Sequence, residues 1–198
     1  SLVLLPIEDI ARIVKRLIFD VGVLMENCVS HCDVNPNNVL FDQTVTLIDL
    51  DFLRRFDDGP HRDNTGTPLY PGSPFYMAPE MVGRTGHKPT SDFYSVGCII
   101  LELLKEKFGS QVIPHSVILP FSEHNDYGTL KRIDRFFNRY NAEDLRSLFQ
   151  NMGDEIRIPA HGMVEFAIAV LKSFPRSRPA DGKEALQIFN SRPNITQI

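Results

Sequence analysis

Between Ser91 and Glu106 the chain reads SDFYSVGCIILELLKE, which as a helix is apolar on nearly every face. A helix of that kind cannot rest on a surface, so the remaining chain has to supply a shell around it. Glu102 and Lys105 interrupt the run before it reaches the roughly 20 apolar residues that a membrane span requires. The constraint is therefore a buried central helix in a globular domain. With 198 residues, 42% hydrophobic and 23% charged, the chain is long enough to build such a domain around one core.

The first piece of shell follows Pro6, where Ile10, Ile13, Val14, Leu17, Ile18, Val21, Leu24 and Met25 recur at helical spacing. Glu8 and Asp9 favour a helix start there, because acidic groups complement the positive end of the helix dipole. The spacing predicts one helix ending near Asn27. Two short β-like runs, 39–41 and 45–48, flank Asp42-Gln43 and read as a hairpin. From Arg54 to Pro74 the composition turns to Asp, Gly, Pro, Arg and Thr, which predicts a long irregular loop. Further helices are expected at 128–140, 142–152, 162–172 and 181–189. The sequence shows no internal repeat, low-complexity tract or linker, so residues 1–198 are read as one mainly α unit with a small β-hairpin region.

A formal charge of −4 gives no general electrostatic attraction to nucleic acid or an anionic membrane. The cysteines, Cys28, Cys32 and Cys98, are odd in number, and Cys98 lies in the apolar run, where a packed thiol is expected. That points to an intracellular protein, cytoplasmic or nuclear. Ser1-Leu-Val-Leu-Leu-Pro6 is too short for a signal peptide and has no basic leader, and the lack of an initiator Met suggests a native beginning upstream.

Chemistry is concentrated in the polar segment His31-Cys-Asp-Val-Asn-Pro-Asn-Asn38 and in Asp49, which closes the second β-like run. Mg²⁺ prefers hard oxygen ligands, and Asn38 and Asp49 from adjacent strand ends offer an amide oxygen and a carboxylate. Asp33 is then placed to orient a hydroxyl and accept its proton, as phosphoryl transfer requires. A zinc site at Cys28, His31, Cys32 and Asp33 is the competing reading, weakened because no second ligand pair at zinc spacing occurs elsewhere.

These residues resemble a protein kinase domain of the eukaryotic Ser/Thr type. His31-Cys-Asp33 with Asn38 is similar to the catalytic loop H-R-D-L-x-x-x-N, and Leu47-Ile-Asp49-Leu-Asp51 occupies the D-F-G position. Gly72-Ser-Pro-Phe-Tyr-Met-Ala-Pro-Glu80 resembles the segment that ends in A-P-E. Asp92-Phe-Tyr-Ser-Val-Gly97 and Arg178-Pro179 resemble two later motifs of the family. Small-molecule kinases of the aminoglycoside and choline type share the first two motifs but not the downstream set.

The resemblance implies a C-terminal lobe whose hairpin region carries the catalytic and metal loops. It implies Asp33 as catalytic base, Asn35 at the catalytic Lys position, and Asn38 and Asp49 as Mg²⁺ ligands at an ATP site that Leu40 also lines. Ser73 would shape the site for Ser or Thr, Glu80 would pair with Arg178, and Asp92 would brace the loop near His31. Leu40, Ile99 and Leu103 would join one apolar stack between lobes, and His31 and Leu50 another. The implied partners are an N-lobe, its own or a separate chain's, and a protein substrate or binding partner.

Four departures from the family pattern stand out. Only 30 residues precede His31, without a Gly-rich loop, strand Lys or helix Glu, so the N-lobe is expected to lie outside this chain. Asn35 replaces a Lys, Cys32 replaces an Arg that reads a phosphorylated activation loop at residues such as Thr65, Thr67, Tyr70 or Ser73, and Asp51 replaces a Gly able to adopt positive φ. A pseudokinase or kinase-like interaction module is therefore the alternative to an enzyme.

Overall fold

A computed structural model describes residues 4–41, 44–59, 64–65, 72–73, 75–82, 86–109, 146–147, 149–150, 152–172 and 174–192. In chain order these form helix α1 (Ile7–Glu26), strands β1 (Val29–Ser30), β2 (Val39–Phe41), β3 (Val45–Leu47) and β4 (Arg54–Arg55), then helices α2 (Pro79–Val82), α3 (Ser91–Phe108), α4 (Asp154–Val170) and α5 (Gly182–Phe189). Short 3₁₀ turns occupy Pro36–Asn38 and Pro175–Ser177. The helix expected at 128–140, the turn residues Asp42 and Gln43, and Thr67 and Tyr70 lie outside the described residues. Of the helix expected at 142–152, Arg146, Ser147, Phe149 and Gln150 are helical.

Helix α3 is the centre of the core. Phe93, Tyr94, Val96, Ile99, Ile100, Leu103 and Leu104 are all buried, as its all-round apolar sequence requires. Helix α1 lays one stripe against it, with Ile10, Ile13, Val14, Leu17, Ile18 and Val21 buried at intervals of three and four. Helix α4 covers the other side, where the Phe93 and Phe166 rings meet edge to face with centroids 6.0 Å apart. Helices α1 and α5 touch through glycine: a Cβ at Gly22 would stand 2.9 Å from the Gly182 Cα, so any side chain there would push the pair apart. Among the described residues no helix is long and apolar enough to cross a membrane.

The strands form two antiparallel pairs. Strands β2 and β3 make the expected hairpin, with Val39 opposite Leu47 and Phe41 opposite Val45. Strands β1 and β4 were not expected: Val29 pairs with Arg55 and Ser30 with Arg54. The irregular region read from Arg54 onward therefore begins after a strand that anchors its first residues. Helix α4 also departs from the expectation of 162–172, starting at Asp154 and running through Pro159. Pro159 lies in the second turn, where its ring removes one backbone bond while the first-turn N–H groups have no helical acceptor in any case.

A buried ion pair fastens α2 to the approach of α5. Arg178 Nη1 donates to Glu80 Oε1 at 2.6 Å and Nη2 to Glu80 Oε2 at 2.8 Å, with the side chains 0% and 5% exposed. The remaining donors are used as well: Nε and Nη2 reach the Lys172 carbonyl at 3.0 and 2.8 Å, and the guanidinium lies 4.9 Å from the centre of the Tyr94 ring. Ser91 Oγ donates to Glu80 Oε1 at 2.7 Å, which brings the start of α3 into the same network.

Truncating one partner of a buried pair leaves the other charge uncompensated, at a typical cost of ~3 to 5 kcal/mol. Arg178→Ala should therefore lower the urea midpoint far more than Arg54→Ala, whose guanidinium is 3.9 Å from Asp58 at a half-exposed site. Equal midpoints for the two variants would contradict this account of the pair.

Candidate active site

The polar segment after β1 is held from below by α3. Asp92, the second residue of that helix, accepts the His31 N–H on Oδ2 at 2.6 Å and the Cys32 N–H on Oδ1 at 3.0 Å. Burial pushes the Asp92 carboxyl above the usual carboxylate range, opposed by these two amides and by the nearby imidazoles. Cys32 is held at φ 66°, a left-handed conformation that costs a non-glycine residue about 1 to 2 kcal/mol. The paired amide bonds to Asp92 offset that cost. The Cys32 thiol, buried beside Asp92, is pushed well above its ordinary value and is chemically quiet.

His31, fully buried, carries the connection onward. Its Nδ1 accepts the Asp33 N–H at 3.3 Å, so Nε2 bears the ring proton and donates to the Ile48 carbonyl at 3.0 Å. The Ile48 N–H donates in turn to the Asn38 carbonyl at 2.8 Å. Both backbone groups of the residue preceding Asp49 are thus bonded to the loop that carries Asp33 and Asn38. Asp49 itself is exposed and adopts φ 65°. Asp49 is thus left-handed, and Asp51, which stands where the family has a glycine, is not among the residues of positive φ. Among the described residues Asp49 Oδ1 receives a long 3.4 Å bond from the Asp51 N–H, and the exposed carboxylate is available to a cation.

Asp33 receives three donors. Asn35 Nδ2 reaches Oδ1 at 2.9 Å, Asn38 Nδ2 reaches Oδ2 at 3.0 Å, and the Ser73 N–H reaches Oδ1 at 2.7 Å. The last comes from forty residues away and depends on Gly72. At φ 95°, with a hypothetical Cβ only 2.5 Å from the Cys32 carbonyl oxygen and 3.0 Å from Asp33 Oδ1, that position admits glycine alone. Asn38 uses its Nδ2 on Asp33 Oδ2 and on the Asp33 carbonyl, and among the described residues its amide oxygen takes no side-chain or backbone donor.

The structure thus joins Asp33, Asn35, Asn38 and Ser73 by direct hydrogen bonds, and ties Asp49 to them through Ile48. His31 and Asp92 lie beneath this group, and Glu80 and Arg178 fasten the segment beyond Ser73. Leu40 and Leu50 stand out from the hairpin at 54% and 56% exposed, together with Phe41 and Leu53. Ile99 and Leu103, read with Leu40 as one stack, are buried in the helical core. Sequence reasoning gave no role to Gly72 or Ser91. The signal for Gly72 was a glycine directly before the residue proposed to touch substrate, and for Ser91 a hydroxyl at the first position of the central helix.

The geometry can orient a hydroxyl against an acceptor carboxylate and present two hard oxygen donors beside it. Comparison with known proteins agrees with that chemistry. The family described as Protein kinase domain matches residues 3–188. Mitogen-activated protein kinase kinase kinase 19 of Homo sapiens is 34% identical over 109 residues, covering 52% of this chain and 8% of that protein. The serine/threonine-protein kinase AtPK1/AtPK6 of Arabidopsis thaliana is 30% identical over 137 residues, covering 63% of this chain and 28% of its own length. Serine/threonine-protein kinase RUNKEL of the same plant is 33% identical over 101 residues, 50% of this chain and 7% of that protein. The chain spans less than a third of each of these relatives. It belongs to the protein kinase family, and its mainly helical fold with a small sheet region is that of a kinase C-lobe.

Gly72→Ala should destabilise the fold by roughly 1 to 3 kcal/mol, through left-handed strain and the clash with Cys32. Gly59→Ala, with nothing within 4 Å of its Cβ position, should stay within about 0.5 kcal/mol of the parent. Chemical denaturation of the two variants checks this; a Gly72→Ala midpoint equal to that of Gly59→Ala would mean that the Gly72 approach is not required.

Proposed function

We propose that residues 1–198 of this protein kinase family member form the catalytic lobe of a protein serine/threonine kinase, which transfers the γ-phosphate of ATP to Ser or Thr once an N-lobe completes the nucleotide cleft. The observation that carries the proposal is the Asp33 carboxylate, held by Asn35, Asn38 and the Ser73 N–H. A carboxylate oriented in this way can align an acceptor hydroxyl and take its proton as the new bond to phosphorus forms.

The donor set beside Asp33 fits Mg²⁺. Asn38 offers an amide oxygen and Asp49 an exposed carboxylate, and Mg²⁺ commonly binds one or two protein oxygens and completes its shell with water and phosphate. When bound, the ion neutralises phosphate charge.

Ser73 faces Asp33 through its N–H, a position from which it can contact the acceptor residue. The Glu80 and Arg178 network, which holds the segment after Ser73, supports a protein substrate over the small-molecule alternative, since those two residues lie in motifs that resemble the protein kinase family. The exposed Leu40, Phe41, Leu50 and Leu53 provide an apolar surface beside the site that an N-lobe, from the same or another chain, would cover. Three free thiols support an intracellular setting, cytoplasmic or nuclear.

The test is γ-phosphate transfer and Mg²⁺-dependent nucleotide affinity for the protein carrying its N-lobe, with thermal melting as the folding control. Asp49→Asn should abolish transfer and weaken Mg²⁺-dependent ATP binding. Asp33→Asn should slow transfer by ~10²-fold or more while sparing ATP affinity. A well-folded parent that binds no nucleotide and transfers no phosphate would reject the enzyme and favour the pseudokinase, in which Cys32, Asn35 and Asp51 mark lost catalysis.

A further inference from the structure

We infer that Asn35 is a positioning residue that couples the proposed base to the proposed metal ligand through the two ends of one amide. The inference rests on the kinase reading for the roles of Asp33 and Asn38, but the coupling itself is a feature of the loop. Asn35 is 2% exposed, with an extended backbone at φ −151° and ψ 165°. Its Oδ1 accepts the Asn37 N–H at 2.9 Å, capping the 3₁₀ turn Pro36–Asn38. This fixes the direction of the amide, so Nδ2 faces Asp33 and donates to its Oδ1 at 2.9 Å and its carbonyl at 3.1 Å.

The turn needs that cap. Pro36 has no N–H, so Asn37 supplies the first free donor of the turn, and the Asn38 N–H bonds the Asn35 carbonyl at 3.1 Å. Asn38 then reaches back to Asp33 with its own Nδ2. The loop is a closed ring of hydrogen bonds, Asp33 to Asn35 to the turn to Asn38 to Asp33, in which Asn35 is donor at one junction and acceptor at the other. A lysine could donate to Asp33 but could not accept from Asn37. Aspartate could cap the turn but would set a second carboxylate against the first. Serine caps well and is too short to reach Asp33. The amide is the group that serves both junctions, and it orients Asp33 without adding charge.

Two measurements test the coupling. In the 198-residue chain, the Asn35 carboxamide protons should exchange with solvent at least about tenfold more slowly than those of the exposed Asn37, as bonded and buried amides do. In the protein with its N-lobe, Asn35→Ser should melt close to the parent because it retains the cap, whereas Asn35→Asp retains the cap but sets a second buried carboxylate against Asp33 and should melt earlier. Their kcat should fall by about 10-fold and 10²-fold respectively, with KM for ATP unchanged, since the lost donor orients the base and not the nucleotide. Asn35→Ala should lose both junctions and melt earlier as well. Exchange at Asn35 as fast as at Asn37, or unchanged kcat in the Ser and Asp variants of an active parent, would overturn the inference. A parent without phosphate transfer but with a protected Asn35 carboxamide would reject the kinase reading and leave the coupling standing.

Discussion

The arrangement of the site depends on one buried carboxylate. Asp92 lies in the first turn of the central helix, where the helix dipole favours negative charge, and both its oxygens are occupied by the His31 and Cys32 N–H groups. Those donors belong to a loop with few backbone bonds of its own, and one of the two residues is in a left-handed conformation. Without Asp92, two buried N–H groups would lose their acceptor at about 1 to 3 kcal/mol each. The central helix, the most completely buried element of the protein, is in this way the rigid reference from which the loop is measured out.

From that reference the order propagates by short steps. His31 passes it to Ile48 through its ring, Ile48 passes it to Asn38 through the backbone, and Asp33 and Asn38 close on each other. The segment before Glu80 is tied at two points: the Ser73 N–H on Asp33, and Glu80 on Arg178 and Ser91. Between these, Tyr76 donates its hydroxyl to Glu102 on α3 at 2.5 Å, and burial, with this bond second, pushes the phenol above its ordinary pKa. The region that would meet a substrate is therefore attached to the same helix that braces the loop beneath it.

Much of this was legible in the sequence because it was written in side-chain periodicity and order. The apolar repeat from Ile10 to Met25 and the all-round apolar run from Ser91 set α1 and α3 to within two residues, and the helix expected at 181–189 matches α5 to within one. Strands β1 and β4 were not legible: two residues are too few to show alternation, and their pairing is a long-range backbone contact. The start of α4 was hidden by Pro159, which reads as a helix breaker although the helix runs through it at the loss of one backbone bond. In the site, residue types and their order named Asp33, Asn38 and Asp49, while the Ser73 N–H bond to Asp33 was invisible because the main chain supplies it, and Gly72 left only the faint signal of a glycine before Ser73. The left-handed conformation of Asp49 was not read from the sequence, where the family's glycine drew attention to Asp51 instead.

Amide hydrogen exchange at His31 and Cys32 measures the central claim, that α3 holds the loop in place before any ligand arrives. In the parent chain these two amides should exchange as slowly as those of Ile100 and Leu104 in the buried helix. In Asp92→Ala they should exchange faster by an order of magnitude or more, with Ile100 and Leu104 still protected. Exchange at His31 and Cys32 that is already fast in the parent, or unchanged in the variant, would contradict the account.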